Sequence, residues 1–414
     1  MNGKKENGRI KKQDGRIKKQ DKVSDPPEKD RKGAGQSCVH FGKCGSCKYL
    51  GMPYEEQLIK KRREVRELME KHGKVKPVIG MEDPFHYRYK VQAVFGLDRK
   101  KQIISGVYEE KSHRILPVES CLIEDEKSDE IIGTIRGMLR SFKIKTYDED
   151  TGYGLLRYVL VRRGYFTGEI MVVLVTASPV LPSKRNFVDA LRKIHPEITT
   201  VVQNVNNRSD SLVLGDKYQV LYGKGYIMDE LCGCRFRISP ASFYQVNPLQ
   251  AQKLYEKAVE FAGLTGEETV VDAYCGTGTI GLIAAKRAKK VIGVENNPGA
   301  VRDAVSNAKE NHVENIRFYR DDAGNFLKSC VADSVPVDVL FLDPPRAGSS
   351  EEFLTAAAEI APKRIVYVSC NPVTLERDVA FLEKKGYRVR EVQPVDMFPW
   401  TEHVETVCLL SRIK

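Results

Sequence analysis

The chain has 414 residues, 67 Lys and Arg against 56 Asp and Glu, a formal net charge of +11 and 41% hydrophobic residues. That apolar share supports packed cores, which excludes wholesale disorder, and at roughly 150 residues per domain the length predicts two or three domains. The longest apolar runs, such as 171–175 and 337–342, fall far short of the ~18 residues that span a bilayer, and no N-terminal stretch reads as a secretory signal. A soluble, cytoplasmic protein is expected, with no membrane contact.

Residues 1–33 hold twelve Lys and Arg against six Asp and Glu, so about half of the net charge sits there. The run GRIKKQD at 8–14 is repeated at 15–21. Low complexity, little hydrophobicity and the pair Pro26-Pro27 predict a disordered leader over residues 1–37. It is either simply solvated or a basic arm that adds non-specific affinity for phosphates.

Cys38, Cys44 and Cys47 follow in a short glycine-containing stretch, CVHFGKCGSC, and Cys121 stands at a distance. A reducing compartment disfavours disulfides among the ten cysteines. Three thiols within ten residues suit a metal centre, and four-thiolate zinc and an iron–sulfur cluster both fit the chemistry. Over 54–73 the residues Leu58, Val65, Leu68 and Met69 recur at helical spacing, which predicts a surface helix ending at Gly73. Residues 38–83 therefore form a small cysteine segment with one helix.

From 84 to 235 the pattern changes to short β-rich runs at 89–97, 103–108, 155–162, 169–176 and 199–204, with helical stretches at 125–142 and 184–195. This predicts a central α+β domain. Beyond 236, strands at 268–274, 291–295, 316–319, 337–342 and 364–369 alternate with helices at 280–288, 299–311, 350–360 and 374–386. That rhythm predicts an α/β, doubly wound, Rossmann-like domain over 236–414, with ligands at the carboxyl ends of its strands.

The strand ends form a series. The first runs into VDAYCGTG, whose glycines permit close approach of a ligand at a helix start; the second ends at Glu295, suited to ribose hydroxyls. The third ends in RDD, placing Asp322 to face an adenine amino group, and the fourth in DPPR. Acids at successive strand ends suit a positively charged nucleoside cofactor, S-adenosylmethionine, better than a dinucleotide.

The fifth strand ends YVSCNP, which puts Cys370 before a helix, where a thiol tends towards thiolate. Methylation of a pyrimidine at ring carbon 5 needs such a nucleophile: addition at carbon 6 makes an enolate that attacks a sulfonium methyl, and a base then removes the proton at carbon 5. Glu405, at the start of the last strand, is the candidate base.

In these motifs the chain resembles the RNA uridine-5-methyltransferases that use S-adenosylmethionine, and in particular their iron–sulfur ribosomal branch. The resemblance runs from Cys38 to Lys414 through CVHFGKCGSC, SFYQVN (242–247), VDAYCGTG, FLDPPRAG, YVSCNP and MFPWTEHVET. By position it implies Cys370 as nucleophile and Glu405 as proton acceptor. It implies cofactor contacts from Gln245, Tyr274, Thr279, Glu295, Asp322 and Asp343, and a 4Fe–4S cluster on Cys38, Cys44, Cys47 and Cys121. The implied function is methylation of 23S ribosomal RNA by a monomer without an obligate protein partner. Alternatives are the same reaction on tRNA, or a non-catalytic iron–sulfur RNA-binding protein. The resemblance also implies that the central α+β domain, 84–235, binds RNA; many relatives begin with a small RNA-binding β-barrel, where this sequence has the polar leader.

Overall fold

The computed structural model describes residues 38–210 and 212–413; the expectation attached to the leader lies outside the described residues. The first helix, α1 (Tyr54–Met69), buries Gln57, Lys61, Val65 and Met69, a stripe four residues apart. This differs from the expected apolar stripe of a surface helix. Val65 and Met69 belong to the core of the C-terminal sheet, and Lys61 is fully buried. One lysine of the KKRR run is thus a packing residue, and its charge is met by a buried partner described below.

Seven strands make the first sheet: β1 (Lys90–Leu97), β2 (Ile103–Tyr108), β3 (Ile115–Pro117), β4 (Leu156–Arg163), β5 (Ile170–Thr176), β6 (Ile198–Val205) and β7 (Lys217–Tyr222), in the order β3-β2-β1-β4-β5-β6-β7. Only β5 and β6 run parallel; the other neighbours are antiparallel. Strand β5, IMVVLVT, is buried at every position because both faces are covered. Helices α2 (Glu126–Met138) and α3 (Lys184–Ile194) supply Ile131, Ile135, Phe187 and Leu191 to one face. The hairpin β8 (Ile227–Leu231) and β9 (Cys234–Ile238) supplies Ile227 and Ile238 to the other. The five sequence-predicted strands are present; the short β3 and the exposed edge strand β7 were not legible as such.

The second sheet contains β10 (Thr269–Ala273), β11 (Lys290–Glu295), β12 (Ile316–Arg320), β13 (Val339–Leu342), β14 (Arg364–Ser369), β15 (Tyr387–Val395) and β16 (Glu405–Arg412), ordered β12-β11-β10-β13-β14-β16-β15. The first five are parallel, and β15 and β16 close the sheet antiparallel. On one face lie α4 (Pro248–Ala262), α5 (Thr279–Ala285) and α6 (Pro298–Glu310); on the other lie α7 (Ala323–Ala332), α8 (Glu351–Glu359), α9 (Pro372–Lys384) and α1. The doubly wound α/β expectation holds, with α4 and α7 as additions.

The connection from β15 to β16 is held from outside its own sheet. Lys61 Nζ donates to Asp396 Oδ1 at 2.6 Å and to Phe398 O at 3.0 Å, and Tyr54 Oη donates to Asp396 Oδ2 at 2.8 Å. Both ion-pair side chains are fully buried. Burial depresses the Lys61 pKa and Asp396 opposes that shift. Removing one partner of a buried pair strands the other charge, whereas replacing both can be nearly neutral. Lys61→Met is therefore expected to destabilise the protein by about 3–5 kcal/mol in thermal or urea unfolding. The double variant Lys61→Met/Asp396→Leu should recover most of that loss, and a double variant as unstable as the single would show that the ion pair is not the relevant contact.

Candidate active site

Pairing along the second sheet sets the candidate residues in a row. Ala273 is opposite both Val294 and Leu342, so Tyr274, Glu295 and Asp343 leave adjacent strands at the same edge. Leu342 is opposite Tyr367, and Ser369 is opposite Thr406. Cys370 therefore leaves β14 beside Glu405, which opens the antiparallel β16. The edge reads, in strand order, Asp322, Glu295, Tyr274, Asp343, Cys370, Glu405.

The glycine turn after β10 has the backbone its residues require. Tyr274 has φ 65°, Gly276 φ 55° and Gly278 φ 83°, and a Cβ on Gly278 would stand 2.8 Å from Phe318 Cζ. Asp272 anchors the turn by accepting from Gly281 N at 2.8 Å. The Tyr274 ring rests 5.2 Å from Phe353, which compensates part of the strain of its left-handed backbone. Gln245, Tyr274, Thr279, Asp343 and Asp272 all line one cleft.

Glu295 accepts from Gly276 N at 3.1 Å and from Asn297 N at 2.7 Å, so its carboxylate is oriented at the rim of the turn. Asp322 caps α7 through Oδ1, accepting from Asn325 N at 3.0 Å. It has a structural task whatever else it touches.

Cys370 opens onto a separate depression lined by Arg346, Asn371, Val373, Glu402 and His403. Asn371 caps α9, accepting from Val373 N at 3.1 Å, and its Nδ2 donates to Arg346 O at 3.1 Å. Thr374 Oγ1 donates to the same carbonyl at 3.2 Å. These two bonds strap the DPPR loop to the Cys370 turn and put Arg346 beside the thiol. The sequence points to this motif for its acid, Asp343; the arginine at the same ligand-facing strand end was the further signal to follow.

Electrostatics at this edge differ from the expectation of a thiolate at a helix start. The Cys370 pKa is raised, first by burial and then by the Glu405 carboxylate, with Arg346 opposing. Burial pushes Glu405 up to about 8, with Asp343 adding to the rise and Arg346 lowering it. Burial alone pushes Asp343 up to about 7, and burial pushes Asp272 up to about 8. Low dielectric and mutual repulsion outweigh the helix start, so the resting thiol keeps its proton. Carboxyls tuned near neutrality are suited to proton transfer.

The four N-terminal cysteines lie elsewhere. Cys38, Cys44, Cys47 and Cys121 line one cavity of about 650 Å³ together with Arg88 and Lys90. Burial, then Cys44 and Cys38, push the Cys47 thiol up to about 12, and burial and Glu124 push Cys121 to about 12. The thiols are thus close enough to repel one another as thiolates. Among the described residues, no group of three His, Cys, Asp or Glu side chains is drawn together as around a metal ion.

The tRNA (uracil-5-)-methyltransferase family model matches residues 53–413. An uncharacterized RNA methyltransferase of Halalkalibacterium halodurans is 45% identical over 379 residues, 90% of this chain and 82% of the relative. One from Caldanaerobacter subterraneus is 42% identical over 391 residues, 93% of this chain and 86% of the relative. The crystal structure of the Pyrococcus abyssi tRNA (uracil-54, C5)-methyltransferase with S-adenosyl-L-homocysteine superposes with a TM-score of 0.73 and 29% identity, covering 88% of this chain and 85% of that one. The chain belongs to the tRNA (uracil-5-)-methyltransferase family: it is an RNA methyltransferase that uses S-adenosylmethionine. No helix among the described residues is long and apolar enough to cross a membrane.

The raised Glu405 carboxyl has a thermodynamic signature. Its ordinary pKa is 4.5 and its folded value about 8, so between these the folded chain holds a proton that the unfolded chain has lost. The stability it contributes is full below about 4.5 and is lost as pH rises through about 8. Glu405→Gln removes the titration and nearly keeps the shape. Its Tm should match wild type at pH 5 and exceed it by at least ~2 °C at pH 9. A variant uniformly less stable at both pH values would contradict the raised pKa.

Proposed function

We propose that this member of the family methylates a uridine of 23S ribosomal RNA at ring carbon 5, with Cys370 as nucleophile and Glu405 as base. The observation that carries the chemistry is the adjacency of Cys370 and Glu405 across the β14–β16 ladder, beside Asp343 and the glycine turn. The target uracil, turned out of its stack, enters the depression at Cys370. The Cys370 proton passes to the neighbouring Asp343 carboxylate, which leaves Glu405 free for the later step, and the sulfur bonds to ring carbon 6. Electron density moves to carbon 5 and to the exocyclic oxygen, where Arg346 offers the nearby positive charge. S-adenosylmethionine supplies an electrophilic methyl group for carbon 5. An ionised Glu405 then takes the proton from carbon 5, the C6–S bond breaks, and the ring regains its double bond with Cys370 free.

For the cofactor, Gln245, Tyr274, Thr279 and Asp343 form the cleft wall, Glu295 faces the ribose hydroxyls and Asp322 the adenine amino group. The buried acids of this edge suit a sulfonium cation. The choice of ribosomal RNA rests on the resemblance to the iron–sulfur ribosomal branch. The second reading, tRNA, is favoured by the Pyrococcus abyssi structure, which spans 88% of this chain. Mapping 5-methyluridine in 23S RNA and tRNA with and without this gene separates the two.

Cys38, Cys44, Cys47 and Cys121 are proposed to hold a 4Fe–4S cluster with a structural task. Support comes from their convergence on one cavity of about 650 Å³, far larger than a single ion needs, and from thiols whose mutual repulsion a cationic centre would relieve. No electron transfer enters the mechanism. Protein purified without air should carry about four irons per chain. Stoichiometric zinc and no iron would overturn the cluster.

On RNA containing 5-fluorouridine the wild type should form a covalent adduct on denaturing gels, because fluorine blocks proton loss. Cys370→Ala should form none, yet bind S-adenosylhomocysteine within about twofold of wild type, a change of about 0.4 kcal/mol, since the thiol lies outside the cleft wall proposed for the cofactor. An adduct persisting in Cys370→Ala would move the nucleophile elsewhere. Glu405→Gln should accumulate an adduct with ordinary uridine RNA, as release needs the base and attack does not. Because both Cys370 and Glu405 must lose protons, wild-type turnover should rise with pH through about 8, and a rate flat from pH 6 to 9 would contradict the assignment.

A further inference from the structure

A large cavity remote from the strand-end row lies at the far end of the first sheet. It measures about 1080 Å³ and is walled by the β1–β2 turn, the end of α2 and the 144–153 loop. Arg99, Lys101, Arg140, Lys143 and Lys145 line it, all exposed and none in an ion pair among the described residues. Two tyrosines, Tyr147 and Tyr153, stand among them, and Tyr153 is 63% exposed. Lys145 Nζ lies 4.8 Å from the Tyr153 ring centroid and donates to its hydroxyl at 2.8 Å, holding that ring upright over the cavity.

The acids nearby are mostly committed. Asp98 accepts from Lys100 N at 2.8 Å and Gln102 N at 2.7 Å, and Asp148 accepts from Asp150 N and Thr151 N at 3.0 Å each. Glu149 faces Arg157 at 3.5 Å, and only Asp150 is exposed without a partner. Arg114 is neutralised by Glu109. The surplus is positive and lies around an exposed aromatic face. Cations that follow a backbone and rings on which bases stack are the means by which single-stranded nucleic acid is held without sequence preference.

We propose that this cleft is a second RNA-binding site, which holds an unpaired stretch of the substrate away from the reacting uridine. The inference rests on the reading of the substrate as RNA. Strand β1 gives the spacing: Tyr89 N donates to Val246 O at 2.8 Å, next to Gln245 of the cofactor cleft, and Leu97 at the other end lines the second cleft. The eight residue steps from Tyr89 to Leu97 span roughly 27 Å at ~3.4 Å each. That distance equals about eight stacked nucleotides at ~3.4 Å each. The site should therefore act only on substrates that extend beyond about eight nucleotides from the target.

The test compares wild type, Tyr153→Ala and the triple variant Lys101→Gln/Lys143→Gln/Lys145→Gln on two RNAs, a five-nucleotide fragment around the target and a long fragment extending ~15 nucleotides to each side. On the long RNA the KM should rise about tenfold in each variant with kcat unchanged, and the slope of log KM against log salt should fall by about 2 in the triple variant. On the five-nucleotide RNA all three proteins should behave alike. Unchanged KM on the long RNA, or an equal loss on both RNAs, would overturn the second site. A wild type that methylates neither RNA while retaining S-adenosylhomocysteine binding would instead overturn the substrate reading on which the inference stands.

Discussion

A lysine and an aspartate, 335 residues apart and both out of water, hold the turn that leads into β16. Such a pair is costly to bury and survives only with good geometry and further hydrogen bonds. Here the geometry is short, 2.6 Å, and the remaining valences are met by Tyr54 and by the Phe398 carbonyl. Other polar groups converge on the same turn. Gln250 Nε2 donates to Asp396 O at 3.0 Å, Asn247 Nδ2 to Met397 O at 3.0 Å, and Tyr87 Oη to Pro399 O at 2.9 Å. Three segments distant in sequence thus meet on one turn, and that turn leads directly into Glu405.

The row of strand ends gives the second constraint. Asp272, Asp343 and Glu405 all resist ionising because they are buried, and the Asp343 carboxyl adds to the rise at both Asp272 and Glu405. A site of this kind is short of positive charge, with Arg346 the cation that acts on both Cys370 and Glu405. In the proposed placement, a sulfonium cofactor would bring the missing charge into the cleft. Its arrival would favour ionised carboxyls, the forms that the proposed mechanism needs to accept the Cys370 and carbon-5 protons. Cofactor affinity and proton transfer are therefore two readings of one electrostatic balance.

The parallel strands and the strand-end acids were legible because buried β-branched runs and the Cys370 and DPPR motifs are local patterns. The glycine turn was legible for the same reason. Lys61 was not: nothing within KKRR distinguishes the lysine that turns inward, since its partner Asp396 lies in another part of the chain. The charge state of Cys370 was also misread. Position before a helix suggests thiolate, but burial and the Glu405 carboxylate act through tertiary neighbours that sequence spacing does not reveal. Asn247, read within a motif, proves to cap α4 while reaching to Met397, a structural link that only the folded chain displays.

The cysteine segment is joined to the stretch before Glu405 through Trp400. Trp400, the one tryptophan of the chain, has a left-handed backbone with φ 68°, a conformation that costs about 1–3 kcal/mol in a bulky residue and persists only when its surroundings over-determine it. Those surroundings are specific. Its backbone N–H donates to Gln57 Oε1 at 3.1 Å, its carbonyl accepts from Tyr49 N at 2.9 Å, and its indole donates to Pro84 O at 2.8 Å. Its ring stacks on Phe85 at 5.0 Å, within the apolar cluster against which Cys38, Cys47 and Cys121 pack. Tyr49 is two residues from Cys47, so order in the thiol segment is order at Trp400. From Trp400 the chain has only four residues before Glu405, too few to absorb a displaced anchor. The cysteine segment is thus tied by specific contacts to the stretch that leads into Glu405, and on the proposed mechanism those contacts would help to align the base.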